Sequence, residues 1–283
     1  LDKEKRSAAL LDFIGNQLVL LMLKLDGLTI KLTYENGTLV EAATRGDGNE
    51  GEVVTHNARG ITGTPQKIPY SGHLVVVGEA FIRPSDFAKL KDKLLDSSGK
   101  PYKNGRNLAA GSVRLLDARV CKERCVTFMP FNVLEGLDAL ELKSDRLMQL
   151  WGYGFTVCPY LKTTAALNQR YIDMGIERLQ ELAKKHDVPI DGIVVTYNNV
   201  AYSKSCGRTG HHYKDGIAYK FEDDAFETRL QSIEWNPTRS GEIAPVAIFD
   251  PVEIDGCEVA RASLHNLSFI EGLELMPGNR IKV

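Results

Sequence analysis

The sequence predicts an α+β fold in two parts: strands with helices, followed by a small β-barrel. Two observations predict the first part. Strand-like apolar runs alternate with helix-spaced segments up to about residue 221, and an Asn36-Gly37 turn joins two of the runs as a hairpin. A third observation predicts the second part. After Phe221 short β-rich runs alternate with turns such as Thr238-Arg239-Ser240-Gly241 and Asp255-Gly256. The boundary falls near Glu222–Ala225, so the expected domains are residues 1–222 and 223–283. The chain stops at Ile281-Lys282-Val283, which reads as the middle of the barrel, so a truncated barrel is expected.

In chain order, Asp2–Phe13 reads as an amphipathic helix with Leu10, Leu11 and Phe13 on one side. Leu18–Leu23, Leu28–Tyr34 and Leu39–Ala43 read as strands. Glu50–Arg59 has helical spacing, and His73–Ile82 is a buried strand. Pro84 opens a helix at a favoured first-turn position, and Asp96–Pro101 closes it as a loop. Val126–Val133 is a strand, Ser144–Trp151 and Ala165–Lys185 are helices, and Ile190–Tyr197 and Gly216–Phe221 are strands. The second part contributes Thr228–Trp235, Val246–Ile254, Val259–Ser263 and Arg280–Val283.

With 283 residues, 43% of them hydrophobic, the chain can bury two ordinary cores. Its greasiest run, Gln17–Leu23, is strand-length, so no membrane association is expected. No signal peptide is visible and the first residue is Leu1, so an excised piece of a cytoplasmic protein is expected. The five cysteines are scattered, and Cys121 and Cys125 lack a second close pair, which argues against zinc and for reduced thiols. The net charge of −2 points to no particular partner. Its distribution says more: residues 222–283 hold 12 acids and 5 bases, whereas residues 1–221 hold 25 acids and 30 bases. Phosphate contacts to a nucleic acid would therefore come mostly from the first part.

Six short motifs stand in order: Lys24-Leu25-Asp26-Gly27, Thr44-Arg45-Gly46-Asp47-Gly48, Val77-Gly78-Glu79, Arg106-Asn107-Leu108-Ala109-Ala110-Gly111-Ser112, Ile190-Asp191-Gly192 and Ala218-Tyr219-Lys220-Phe221. Any one alone would be a surface turn or a strand-end charge. A lysine attacks as a nucleophile only when neutral, its free pKa is about 10.4, and burial or nearby cations lower that value. Lys24 ends an apolar run, and Gly27 permits a tight turn beneath a ligand. Glu79 ends a buried strand and needs a partner. Arg106 and Arg114 flank a helix of small residues and could grip phosphate. Asp191 sits at a strand, where a carboxylate serves a metal or a lysine.

Together these motifs resemble the nucleotidyltransferase superfamily, and in detail the adenylation domain of bacterial NAD-dependent DNA ligases. ATP-dependent ligases and capping enzymes usually place an arginine two residues after the glycine, where this chain has Leu28-Thr29. The resemblance covers nearly the whole chain. It implies an ATP-grasp-like nucleotidyltransferase fold followed by an OB-fold, and a monomer using NAD, Mg2+ and nicked duplex DNA. It further implies that Lys24 forms a lysine–AMP phosphoramidate, with Asp26 orienting the lysine or a magnesium ion and Lys220 neutralising the α-phosphate. Met22, Leu25, Arg45, Glu79, Arg106, Asp191 and Thr196 fall at nucleotide-binding positions, and Asp191 with Asp26 is a place for magnesium. Arg114, Arg261, His265 and Asn266 fall at positions that meet DNA.

The chain also departs from that family. The nicotinamide-binding N-terminal subdomain is missing, which predicts slow self-adenylylation from NAD. Met22 replaces a glutamate, Thr196 a lysine, Val77 an arginine and Phe131 a tyrosine; Lys184 or Lys185 could stand in for an arginine before Ile190-Asp191-Gly192. Met22 and Thr196 together predict an adenine slot that works mainly by packing, with Thr196 offering one hydroxyl. The alternatives are a degenerate, non-catalytic DNA- or nucleotide-binding paralogue, or another superfamily transferase such as a capping enzyme or RNA ligase.

Overall fold

The computed structural model describes residues 2–4, 8–46, 51–96, 99–163, 167–207, 214–221, 225–238, 241–254 and 257–283. Outside these lie Asp47 and Gly48, the helix start at Glu50, the Ser97-Ser98 loop, the helix start at Ala165, the boundary at Glu222, and the turns at Arg239-Ser240 and Asp255-Gly256. The chain divides into two compact units, Leu1–Phe221 and Glu222–Val283.

The first unit opens with β1 (Asp2–Glu4) and α1 (Ala8–Ile14) in place of the single predicted helix. Residues 2–4 pair in parallel with residues 217–219, and that ladder holds them extended. Next come β2 (Val19–Leu25), β3 (Leu28–Glu35) and β4 (Thr38–Thr44). Between β3 and β4, Asn36 and Gly37 have φ of 47° and 79°, the left-handed pair that a tight hairpin requires. Of the helix predicted at Glu50–Arg59 only α2 (Thr55–Ala58) forms, because Val53 bridges to Ala43 and Val54 N–H donates to the Ala42 carbonyl. Then follow β5 (His73–Phe81), α3 (Pro84–Leu90, with Pro84 at its first turn), α4 (Gly105–Val113) and α5 (Arg119–Glu123). The unit continues through β6 (Thr127–Glu135), α6 (Lys143–Gly152), β7 (Tyr160–Lys162), α7 (Gln169–Lys185), β8 (Ile190–Tyr197), α8 (Val200–Ser205) and β9 (Gly216–Lys220). The short elements α5, β7 and α8 escape a periodicity reading because they hold too few residues to show one.

These strands form two sheets. One runs β1-β9-β8-β2-β7 and is antiparallel except for β1–β9; the other runs β4-β3-β5-β6 and is antiparallel throughout. β2 is apolar almost without alternation because it lies inside its sheet with both faces covered. On one face α7 buries Ile172, Ile176, Leu179 and Ala183, a helical stripe, and Gly175 lets it approach Leu21. The other face carries Lys24.

The second unit holds β10 (Glu227–Pro237), β11 (Ile243–Ile254), β12 (Cys257–Ser263), α9 (Leu267–Gly272) and β13 (Arg280–Lys282). Among the described residues its sheet is open, in the order β12-β11-β10-β13, rather than a closed barrel. Register shifts at Leu230/Ser232 and Ile248/Val252 are irregularities of the kind that bend a strand. Leu230, Ala247, Phe249, Leu264 and Ile270 form its core. Among the described residues no helix is long and apolar enough to cross a membrane.

Candidate nucleotide site

Cross-strand pairing puts Lys24, Gly192 and Lys220 in one row across β2, β8 and β9. The β2–β8 register then slips, with Leu25 opposite Ile190, so Asp191 is the extra residue of a bulge. A bulge re-aims a side chain, and here the Asp191 carboxylate meets Lys24 Nζ, which donates to both oxygens at 2.5 Å. Lys220 Nζ lies 3.7 Å from the same carboxylate. Two ammonium groups thus share one carboxylate, leaving a net positive charge that is partly open to solvent: Lys24 is 22% exposed and Asp191 25%. Gly192 is required here because a Cβ would strike the Tyr219 carbonyl oxygen.

β5 of the other sheet brings Glu79 near. It pairs with Thr29 on β3, whose hydroxyl donates to Glu79 Oε2 at 3.0 Å. Glu79 is only 8% exposed, and burial pushes its carboxyl up to about 7 against the opposing pull of Thr29, Arg106 and Lys24. It lies two residues before the end of its strand rather than at it. Gly27 is the junction of the two halves: a Cβ there would collide with the Ala80 carbonyl oxygen and crowd Glu79. Sequence reading takes Thr29 as a branch marker, not as the partner of Glu79; register alone could have paired them.

Asp26, predicted to orient the lysine, instead accepts from Arg106 Nη1 at 3.0 Å, since α4 carries Arg106 across to it. Asn104 caps that helix by accepting from Asn107 N–H. Arg114, at the other end of the helix, pairs with Glu52 at 2.7 Å and is not part of the lysine cluster. Arg45 is exposed just past β4, and its backbone N–H donates to the Thr29 carbonyl. Leu25 alternates to the face opposite Lys24 and is buried in the core. Lys184 lines a cavity of about 540 Å³ with Pro84, Pro189, Ile190 and Phe221, rather than joining Asp191.

Along the Lys24 face, Met22 pairs with Val194 on one side and Tyr160 on the other, giving an apolar shelf. Thr196, beyond it, does not offer its hydroxyl as a donor to a ligand. That hydroxyl donates to the Asp215 carbonyl at 3.0 Å and accepts from Lys143 Nζ at 2.6 Å. Lys143 also donates to Asp215 Oδ2 at 2.5 Å. Burial holds the Lys143 ammonium below the usual lysine range, and Asp215 opposes the shift. No local pattern marks Lys143, which enters from the first turn of α6.

In the second unit, Arg261 pairs with Glu234 at 2.6 Å. The Asn266 side-chain oxygen caps α9 by accepting from Phe269 N–H. His265 takes a left-handed backbone, φ 58°, and meets the Phe269 ring edge-on. Asp26 and Asp191 already face cations, and no group of three or more His, Cys, Asp or Glu among the described residues could hold a metal. Cys121 and Cys158 are buried free thiols, both pushed up by burial, Cys121 to about 11.

A family model described as the NAD-dependent DNA ligase adenylation domain matches residues 4–224, and one described as the NAD-dependent DNA ligase OB-fold domain matches residues 227–283. Proteins named DNA ligase from Ruminiclostridium cellulolyticum and Lachnoclostridium phytofermentans are each 44% identical over the whole chain. A DNA ligase from Campylobacter hominis is 35% identical over 92% of it. The chain spans 43% of the length of each of the first two and 40% of the third. A solved chain named "Pmar-Lig_Pre." shares the fold with a TM-score of 0.53 at 14% identity, covering 99% of this chain and 61% of that one. The open sheets, the lysine cluster and these matches agree, and the chain belongs to the NAD-dependent DNA ligase adenylation domain family, followed by that family's OB-fold domain.

Proposed function

We propose that this chain is the nucleotide-activating part of an NAD-dependent DNA ligase and that Lys24 carries AMP covalently. The observation behind this reading is the Lys24–Asp191–Lys220 cluster on one sheet face, with Glu79 buried nearby. Lys24 Nζ attacks the α-phosphorus of NAD; the N–P bond forms as the bond to nicotinamide mononucleotide breaks. Asp191, 2.5 Å from Nζ, is placed to take the departing ammonium proton. Lys220 faces the charge that builds on the phosphate. Glu79, with Thr29, holds a ribose hydroxyl, and Arg106 is kept near the phosphate by Asp26. In the second step the 5′-phosphate of nicked DNA attacks the same phosphorus and releases Lys24. The 3′-hydroxyl then attacks the activated phosphate and expels AMP. Bound magnesium would neutralise phosphate charge; the paired Asp26 and Asp191 do not form a protein cage for it.

Arg45 and Arg106 are the nucleotide-side arginines of this reading, and Arg114, Arg261, His265 and Asn266 the DNA-side residues. Intact-mass measurement of the chain as purified, and after prolonged incubation with excess NAD to allow for the slow self-adenylylation expected above, tests it. A single AMP adduct mapped by peptide analysis to Lys24 is the expected result. No adduct would favour the non-catalytic paralogue, and an adduct on another lysine would remove the assignment.

A further inference from the structure

Beyond Met22 and Val194, the floor of the Lys24 face ends in a buried ion pair that the mechanism above does not use. Thr196 lies four residues past Gly192 on β8, about 13 Å at strand spacing. That is comparable to an extended nucleoside monophosphate. A nucleotide with its phosphate at Lys24 and its sugar and base along the Met22–Val194–Tyr160 row would bring its base edge to Thr196, Lys143 and Asp215.

We propose that Lys143 and Asp215 form the base-reading end of the nucleotide site and select a 6-aminopurine over a 6-oxopurine; this rests on reading the groove as a nucleotide site. An ammonium has three donors. Lys143 directs one to Thr196 and one to Asp215, and the third is left for an acceptor such as adenine N1. Among the described residues Asp215 engages only Oδ2 of its carboxylate, so Oδ1 can accept from the exocyclic amine. Hypoxanthine reverses this pattern: its carbonyl would face the Asp215 carboxylate, and its N1–H would face the ammonium.

A purely structural role explains less. Buried ion pairs are weak stabilisers that apolar residues often replace without loss. The pair is not sealed: Lys143 is 10% exposed and Asp215 16%. The α6 N-terminus is anchored independently, by Lys143 N–H to the Asn198 carbonyl and Ser144 N–H to Asn198 Oδ1.

The test is calorimetric titration of the whole chain with AMP and with inosine 5′-monophosphate. The wild type should prefer AMP. Lys143→Met should cut AMP affinity about tenfold, the loss of one charge-assisted hydrogen bond, and inosine monophosphate affinity much less. Asp215→Asn keeps the shape and supplies an amide donor, so it should reduce or reverse the AMP preference even if Lys143→Met fails to fold. Equal weakening of both nucleotides in either variant is what a structural role predicts, and it would overturn the proposal. A wild type that binds neither nucleotide would instead bring down the nucleotide-site reading on which it rests.

Discussion

The two ends of the groove floor are built differently. At the Lys24 end, each charged group comes from a short motif: Lys24 beside Asp26-Gly27, Asp191 beside Gly192, Lys220 between Tyr219 and Phe221 at the end of its strand. At the Thr196 end, the motif positions hold Met22 and Thr196, and the charges arrive from Lys143, 53 residues from Thr196 and 72 from Asp215. Charge can thus stand at a strand either from a local motif or from a helix packed against it, and only the first kind shows as a motif.

The largest contrast between the ends should come from Lys24→Arg. Arginine stays protonated and cannot attack phosphorus, so the AMP adduct should vanish in intact-mass spectra while far-UV circular dichroism is unchanged. Lys220→Met should come next. Under the proposed mechanism it removes the cation that faces the phosphate, with an expected loss of about 10²–10³ in the single-turnover adenylylation rate. Its pair with Asp191 is long, 3.7 Å, and partly exposed, so the thermal midpoint should move little. A large midpoint shift with a modest rate loss would make Lys220 a structural residue.

The fold was legible where patterns are long. The 17-residue α7 shows a clean helical stripe, the eight-residue β8 a β-branched run, and Pro84 and Asn36-Gly37 mark their own turns. The site was legible where backbone geometry forces a residue type, as at Gly27 and Gly192, whose Cβ atoms would strike carbonyl oxygens. What sequence did not show depends on register. The bulge that turns Asp191 toward Lys24, the Thr29–Glu79 pair and the Asp26–Arg106 pair follow from which strand or helix lies opposite. At Asn266 the fold adds a helix cap that no pattern in the sequence marks, because the capped N–H belongs to Phe269 in the first turn of a short helix.

Glu79 gives a mid-sized test, and pH reads it. Its carboxyl is pushed from 4.5 to about 7 by burial. The folded chain therefore holds that proton more tightly than the unfolded one, so the contribution to stability is fully present below about pH 4.5 and is lost as pH rises through about 7. The size is at most about 3.5 kcal/mol, from roughly 1.4 kcal/mol per pKa unit over the rise from 4.5 to about 7. Glu79→Gln cannot titrate. The wild-type stability minus that of Glu79→Gln, from urea melts, should fall between pH 4.5 and 7.5. A flat difference would mean that the carboxyl is ionised in the fold, already paired with Lys24 or Arg106.

The smallest effect expected belongs to the Thr196 end, and it can separate relocated charge from coincidence. Restoring a lysine by Thr196→Lys places a second ammonium beside Lys143, where Asp215 is the carboxylate that faces it. The variant should lose about 1–3 kcal/mol, the range for an unpaired buried polar or charged group. Lys143→Thr alone should also destabilise, because it leaves the Asp215 carboxylate without its cation. Combined, the two changes exchange the positions of the lysine and the threonine, and one ammonium again faces one carboxylate. The double variant should recover roughly 0.5–3 kcal/mol relative to the sum of the single losses, as contacting residues do. Urea denaturation of all four chains measures that coupling. Simple additivity would mean that position 196 and position 143 do not draw on the same carboxylate, and that the lysine on α6 is no substitute for a lysine on β8.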